Sequence, residues 1–139
     1  MHNEIATTKS QSERLVACGL LSNTADMTLS YCNGSFYELM AMPFHYGCFD
    51  ERDVPSWSQG RLLELIPTSL KGPTGTEYLL ELSKLRMHDA WEVQWFDGQS
   101  RYPTYDKNKK YHKLWDSSPI EACVKAIEWL VSMGYKLNY

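Results

Sequence analysis

At 139 residues, with 43% hydrophobic and 22% charged residues and a net charge of −3, the chain has the size and composition of one ordinary globular domain. That balance excludes an intrinsically disordered chain, and no run of about 18 apolar residues is present to span a membrane. The first twenty residues, MHNEIATTKSQSERLVACGL, lack a positive leader followed by an apolar block, so a cytoplasmic protein is expected.

In chain order, "SQSERLVACG" predicts a short helix capped by Ser10 or Ser12 and stopped by Gly19. "MTLSYC" and "SFYELMAMPF" flank Asn33 and Gly34, a dipeptide that favours a tight hairpin, and so predict a strand pair. "VPSWSQGRLLELIPTSL" predicts a second helix, opened by Ser56 with Gln59 three positions on and closed by Pro67. Trp57, Leu62, Leu65 and Ile66 form its expected buried stripe. Gly60, which costs about 1 kcal/mol in a helix relative to alanine, points to a close approach of another backbone.

Two half-buried strands follow. "TEYLLELSKL" alternates Tyr78, Leu80 and Leu82 against Glu77, Glu81 and Ser83, while "AWEVQWF" alternates Trp91, Val93 and Trp95 against Glu92 and Gln94. Joined through "RMHD", they are expected to be antiparallel neighbours. The closing segment "SSPIEACVKAIEWLVSMGY" carries Ile120, Cys123, Val124, Ile127, Leu130, Val131 and Met133 at helical spacing. Ser118, Pro119 and Glu121 write its start as a capping box, and Gly134 its end as a Schellman motif in which Tyr135 folds back on Leu130.

The expected fold is therefore α+β over residues 1–139 as a single domain, in the order helix-strand-strand-helix-strand-strand-helix. Its core is an antiparallel sheet of about four strands with the helices packed on one face. Residues 97–117 are read as a long basic and aromatic loop, of a length that is usually functional or mobile.

Three stretches in this order, "TADM" at 24–27, "VPSWSQGRLLELIP" at 54–67 and "SPIEACVKAIEWLVSMGY" at 118–135, resemble a family of short uncharacterised proteins carried by phages, prophages and other mobile elements of gut Bacteroidetes bacteria. The resemblance covers most of the chain and implies a shared fold and a mobile-element setting. It brings no activity with it, because its motifs are helix caps and core stripes. The stretch after Trp95 departs from the family's pattern.

Signatures of catalysis are missing: no G-x-S-x-G, G-K-[ST], H-E-x-x-H or G-x-G-x-x-G occurs, and "KGPTGTEY" reads as a turn. Cys32, His45 and Cys48, with His112 or another cysteine, are the best metal candidates by ligand type. Only His45 and Cys48 are close in sequence, so they are read as unliganded side chains, and no metal or cofactor is expected. Cys18, Cys32, Cys48 and Cys123 are read as reduced thiols, since no C-x-x-C and no export signal is present. Asp50, Glu51 and Asp53 are read as acids stabilising the start of the helix that follows.

The strongest binding candidate is the 97–117 stretch. Arg101, Lys107, Lys109, Lys110 and Lys113 are positioned in sequence to meet phosphates, and Tyr105, Tyr111 and Trp115 to stack on bases. Asp97, Asp106 and Asp116 offset much of that charge, and the chain is acidic as a whole. The favoured expectation is a non-catalytic accessory protein that binds another protein, a second copy of itself included, with single-stranded nucleic acid or a nucleotide as the alternative ligand.

Overall fold

The structure, a computed structural model, describes residues 5–32, 36–47, 50–72, 75, 77–85, 89–97 and 110–139. Helices α1 (Lys9–Cys18), α2 (Phe44–Gly47), α3 (Gln59–Leu65) and α4 (Pro119–Ser132) combine with strands β1 (Met27–Cys32), β2 (Phe36–Met40), β3 (Val54–Ser56), β4 (Ser69–Lys71), β5 (Glu77–Leu85), β6 (Ala90–Asp97) and β7 (Lys110–Asp116). The expected α+β class, with its antiparallel four-stranded sheet and flanking helices, is what the chain forms. Among the described residues no helix is long and apolar enough to cross a membrane.

The strands divide between two sheets, ordered β2-β1-β3 and β4-β5-β6-β7. The hairpin expected around Asn33 and Gly34 pairs Cys32 with Phe36 and Thr28 with Met40, but it does not join the larger sheet. Instead β1 takes β3 as its second neighbour, with Met27 opposite Ser56. β5 and β6 pair from Tyr78–Asp97 to Leu85–Ala90, as their alternation required. β7 continues that sheet, which corrects the expected loop: residues 110–116 are an edge strand opposite β6. Its periodicity is obscured because an edge strand tolerates lysines on its faces, and a register shift at Trp95/Phe96 adds an unmatched residue.

α4 is the centre of the core. Ile120, Cys123, Val124, Ile127 and Leu130 are all fully buried, packed with Val93 and Trp95 of β6, Leu15 of α1, and Leu62 and Leu65 of α3. Ser118 accepts from the Glu121 N–H at 3.2 Å. The reciprocal half of the expected capping box is displaced, because Glu121 binds Arg14 and the Ser118 N–H donates to Asp116 Oδ1 at 3.0 Å. At the other end Gly134 adopts φ +81° and the Tyr135 N–H reaches the Leu130 carbonyl at 3.0 Å, completing the expected Schellman ending. Met133, placed on the stripe by spacing, is exposed because it falls after the last turn.

Two caps differ from expectation. α1 starts at Thr8, in a reciprocal box with Gln11, because Ser12 is buried inside the helix against Thr7. α3 starts at Ser58, since Ser56 belongs to β3 and its hydroxyl donates to the Thr7 carbonyl at 2.8 Å. The stretch 24–27 locks onto this second start: Asp26 accepts from the Ser58 N–H and hydroxyl, and Thr24 Oγ1 accepts from Trp57 Nε1 at 3.0 Å. A Cβ on Gly60 would meet nothing within 4 Å, so the close approach expected there does not exist.

Long-range ties close the chain. Arg14 bridges Glu121 and Glu128 on α4. Asn138 donates its N–H to the Leu65 carbonyl at 2.8 Å and its amide to the Glu64 and Ile66 carbonyls, satisfying the open end of α3.

Candidate functional site

The four-stranded sheet is curled and has two unlike faces. Trp91, Val93 and Trp95 of β6, Leu80 and Leu82 of β5 and Leu114 of β7 turn to the helices. The alternate residues share the opposite face, and the register sets them in rungs. One rung is Ser83, Glu92 and Trp115, and the next is Glu81, Gln94 and Lys113. Trp115 is 58% exposed, whereas Glu92 is 5% and Gln94 2% exposed, an unusual depth for polar groups on the face away from the helices.

A cavity of about 270 Å³ opens on this face, lined by Leu85, Glu92, Lys113 and Trp115. A second, shallower depression of about 490 Å³ runs over the β7 edge along Lys113, Leu114, Trp115, Asp116, Ser117 and Lys125. Lys113 Nζ stands 3.9 Å from Glu92 Oε2, close enough for attraction but beyond hydrogen-bond distance. Gln94 Oε1 is buried with no hydrogen-bond partner. At the rim Lys125 Nζ pairs with Asp116 at 3.0 Å. Burial acts to raise the Asp116 carboxyl, but the Ser118 N–H and the Lys125 ammonium outweigh it and hold the group below the usual carboxylate range.

Of the residues singled out in the 97–117 stretch, Lys113 and Trp115 meet in this cavity. Lys110 and Tyr111 are placed on β7 by its backbone alone, and Arg101, Tyr105, Lys107 and Lys109 lie outside the described residues. The stretch therefore contributes its last residues to a site whose floor comes from elsewhere. Glu92 and Leu85 carried no sequence signal beyond an ordinary strand alternation. No local signal was available, because the second neighbour that buries these side chains, β7, reads as a loop in the sequence.

The other candidates have structural roles. Asp53 precedes β3 rather than a helix, and its carboxylate accepts from the Tyr31 and Asp50 N–H groups. Asp50 holds Arg52, which keeps its carboxyl down at about 2. Cys32 Sγ lies by the Ser30 carbonyl and Glu38, and His45 packs on Tyr46, while Cys48 lies outside the described residues. Burial pushes the Cys123 thiol up to about 12, which makes it an inert core group. No three His, Cys, Asp or Glu side chains converge among the described residues.

No protein-family model, curated protein or solved structure matches this chain.

Proposed function

We propose that the protein is a non-catalytic accessory protein of a phage or other mobile element, acting by binding another protein on the outer face and free edge of β7. The mobile-element setting rests on the three stretches whose resemblance is given above. The observation that carries protein binding is the exposed Trp115, which forms the wall of a cavity beside a strand edge that pairs with no other strand among the described residues. An exposed tryptophan next to a concave apolar surface is what a protein interface uses as an anchor, and an open edge offers backbone donors and acceptors to a partner strand. Nucleic acid is the less favoured ligand because the described cations nearest Trp115 are already matched: Lys113 leans on Glu92 and Lys125 on Asp116.

A photo-crosslinking amino acid at Ser83, across the sheet from Trp115, tests this in cells that encode the protein. The expected product is one discrete protein adduct, lost when Trp115 is changed to Ala. A nucleic-acid adduct would overturn the reading. So would micromolar binding of labelled single-stranded DNA or RNA with a log–log salt slope near −2.8, the value for about four phosphate contacts at roughly 0.7 each from Lys107, Lys109, Lys110 and Lys113.

A further inference from the structure

We infer that the outer edge of β7 pairs with the same edge of a second copy of this chain, antiparallel about a twofold axis at Leu114, so that the two four-stranded sheets continue into each other. The inference rests on the protein-binding reading above and names the partner. The direction of the edge backbone is set at Trp115, whose carbonyl accepts from Lys125 Nζ at 3.4 Å and so looks away from β6. Successive residues of a strand turn their N–H and C=O to opposite sides, so Lys113 shares the outward direction of Trp115 while Leu114 faces β6. Trp115 is 58% exposed and the Lys113 side chain 49%, and among the described residues no strand pairs with this side of β7.

The side chains narrow the occupant to a second copy. A twofold axis normal to the sheet keeps each face on its own side, so the pairing centres on a single residue and only side chains of one face meet. Three centres bring Lys113, Leu114 and Trp115 of the two copies together. Centred on Lys113, two ammoniums stand directly opposite and repel. Centred on Trp115, Leu114, which packs on the core, stands opposite the Asp116 carboxylate of the other copy. Centred on Leu114, the two leucines meet on the helix side, and Lys113 of each copy lies opposite Trp115 of the other, twice by symmetry. An ammonium beside an indole face is attractive. These are also the residues whose N–H and C=O look outward, so each opposed pair can exchange two backbone hydrogen bonds. The strand is thus complementary to itself, as a twofold interface requires.

Sedimentation equilibrium of the purified full chain tests the pairing. Monomer and dimer are expected to exchange with a dissociation constant on the order of 10 to 100 μM, since one short strand pair buries less than a standard interface. Lys113→Pro removes an N–H that the monomer leaves on the strand edge, and Trp115→Ala removes an exposed ring. Each variant should fold as a monomer, checked by far-UV circular dichroism, and weaken the dimer about tenfold or more. Leu114→Cys reports the centre: its two new thiols, opposite each other in a non-hydrogen-bonded pair, lie within disulfide reach. Mild oxidation should link them, mapped by mass spectrometry, whereas Ser117→Cys should not link to itself. A chain still monomeric at about 500 μM, a dimer unchanged in both Lys113→Pro and Trp115→Ala, or a Ser117→Cys link as fast as that of Leu114→Cys would each overturn the inference. A Ser83 adduct to a different protein, from a chain that stays monomeric, would leave protein binding standing and remove the second copy alone. A dimer together with a nucleic-acid adduct at Ser83 would do the reverse.

Discussion

Replacing Gln94 with methionine is expected to stabilise the protein. Gln94 is 2% exposed and its Oε1 has no partner, so the folded state has stripped water from an acceptor and returned nothing. An unsatisfied buried acceptor costs about 1 to 3 kcal/mol, and methionine fills a similar volume with an unbranched, adaptable side chain. Setting the lower part of that range against some repacking loss gives a gain of about 1 kcal/mol. For a chain of this length the gain corresponds to a rise in melting temperature of about 3 to 5 °C. Urea unfolding followed by far-UV circular dichroism measures it directly: the midpoint should rise while the slope with denaturant stays unchanged. Destabilisation by about 1 kcal/mol or more would refute the reasoning, because it would mean the amide makes bonds that the fold depends on.

Leu130→Ala, in the middle of the buried α4 stripe, should cost about 2 to 5 kcal/mol in urea unfolding, and a near-neutral result would show the buried face to be misplaced. Gly60→Ala should stabilise by about 0.4 to 1 kcal/mol, because the added methyl meets nothing within 4 Å and glycine's unfolded-state freedom is removed. A loss would reinstate the close approach that the sequence suggested. Asp116, whose folded-state value lies below its ordinary 3.8, contributes stability above pH 3.8 that is lost as pH falls through the lower folded value. The difference in unfolding midpoint between wild type and Asp116→Asn should therefore be clear at pH 7 and shrink toward zero on acidification below 3.8. A difference that grows in acid would contradict the assignment.

The legible parts of the fold were those in which a local rule and the tertiary structure agree. α4 is bounded by its own cap and glycine, and its stripe is uninterrupted, so its extent follows from residues 118–135 alone. β5 and β6 alternate cleanly because one side of each faces the helices. Ser56 misled because two serines, Ser56 and Ser58, stand before α3 beside a proline, and pairing of β3 with β1, invisible locally, removes Ser56 from the helix. β7 was read as loop because Leu114 is its clear core contact amid lysines and aromatics. The same masking hid the candidate site. Lys113 and Trp115 were recognised by residue type, but their meeting with Glu92 in one cavity exists only once β7 pairs with β6, and no spacing in one segment encodes that pairing.

The ties between the two ends of the chain also constrain how the protein is made. Arg14 waits for Glu121 and Glu128, and the carbonyls at the end of α3 wait for Asn138, so these ties close only after α4 and the residues beyond it have been made. On a ribosome the first hundred residues can form hairpins but not their final packing, leaving Leu15, Leu62 and Trp95 without the α4 surface that covers them. Contacts so distant in sequence slow the final collapse and lengthen the period in which apolar surface is open to chaperones or to a neighbouring nascent chain.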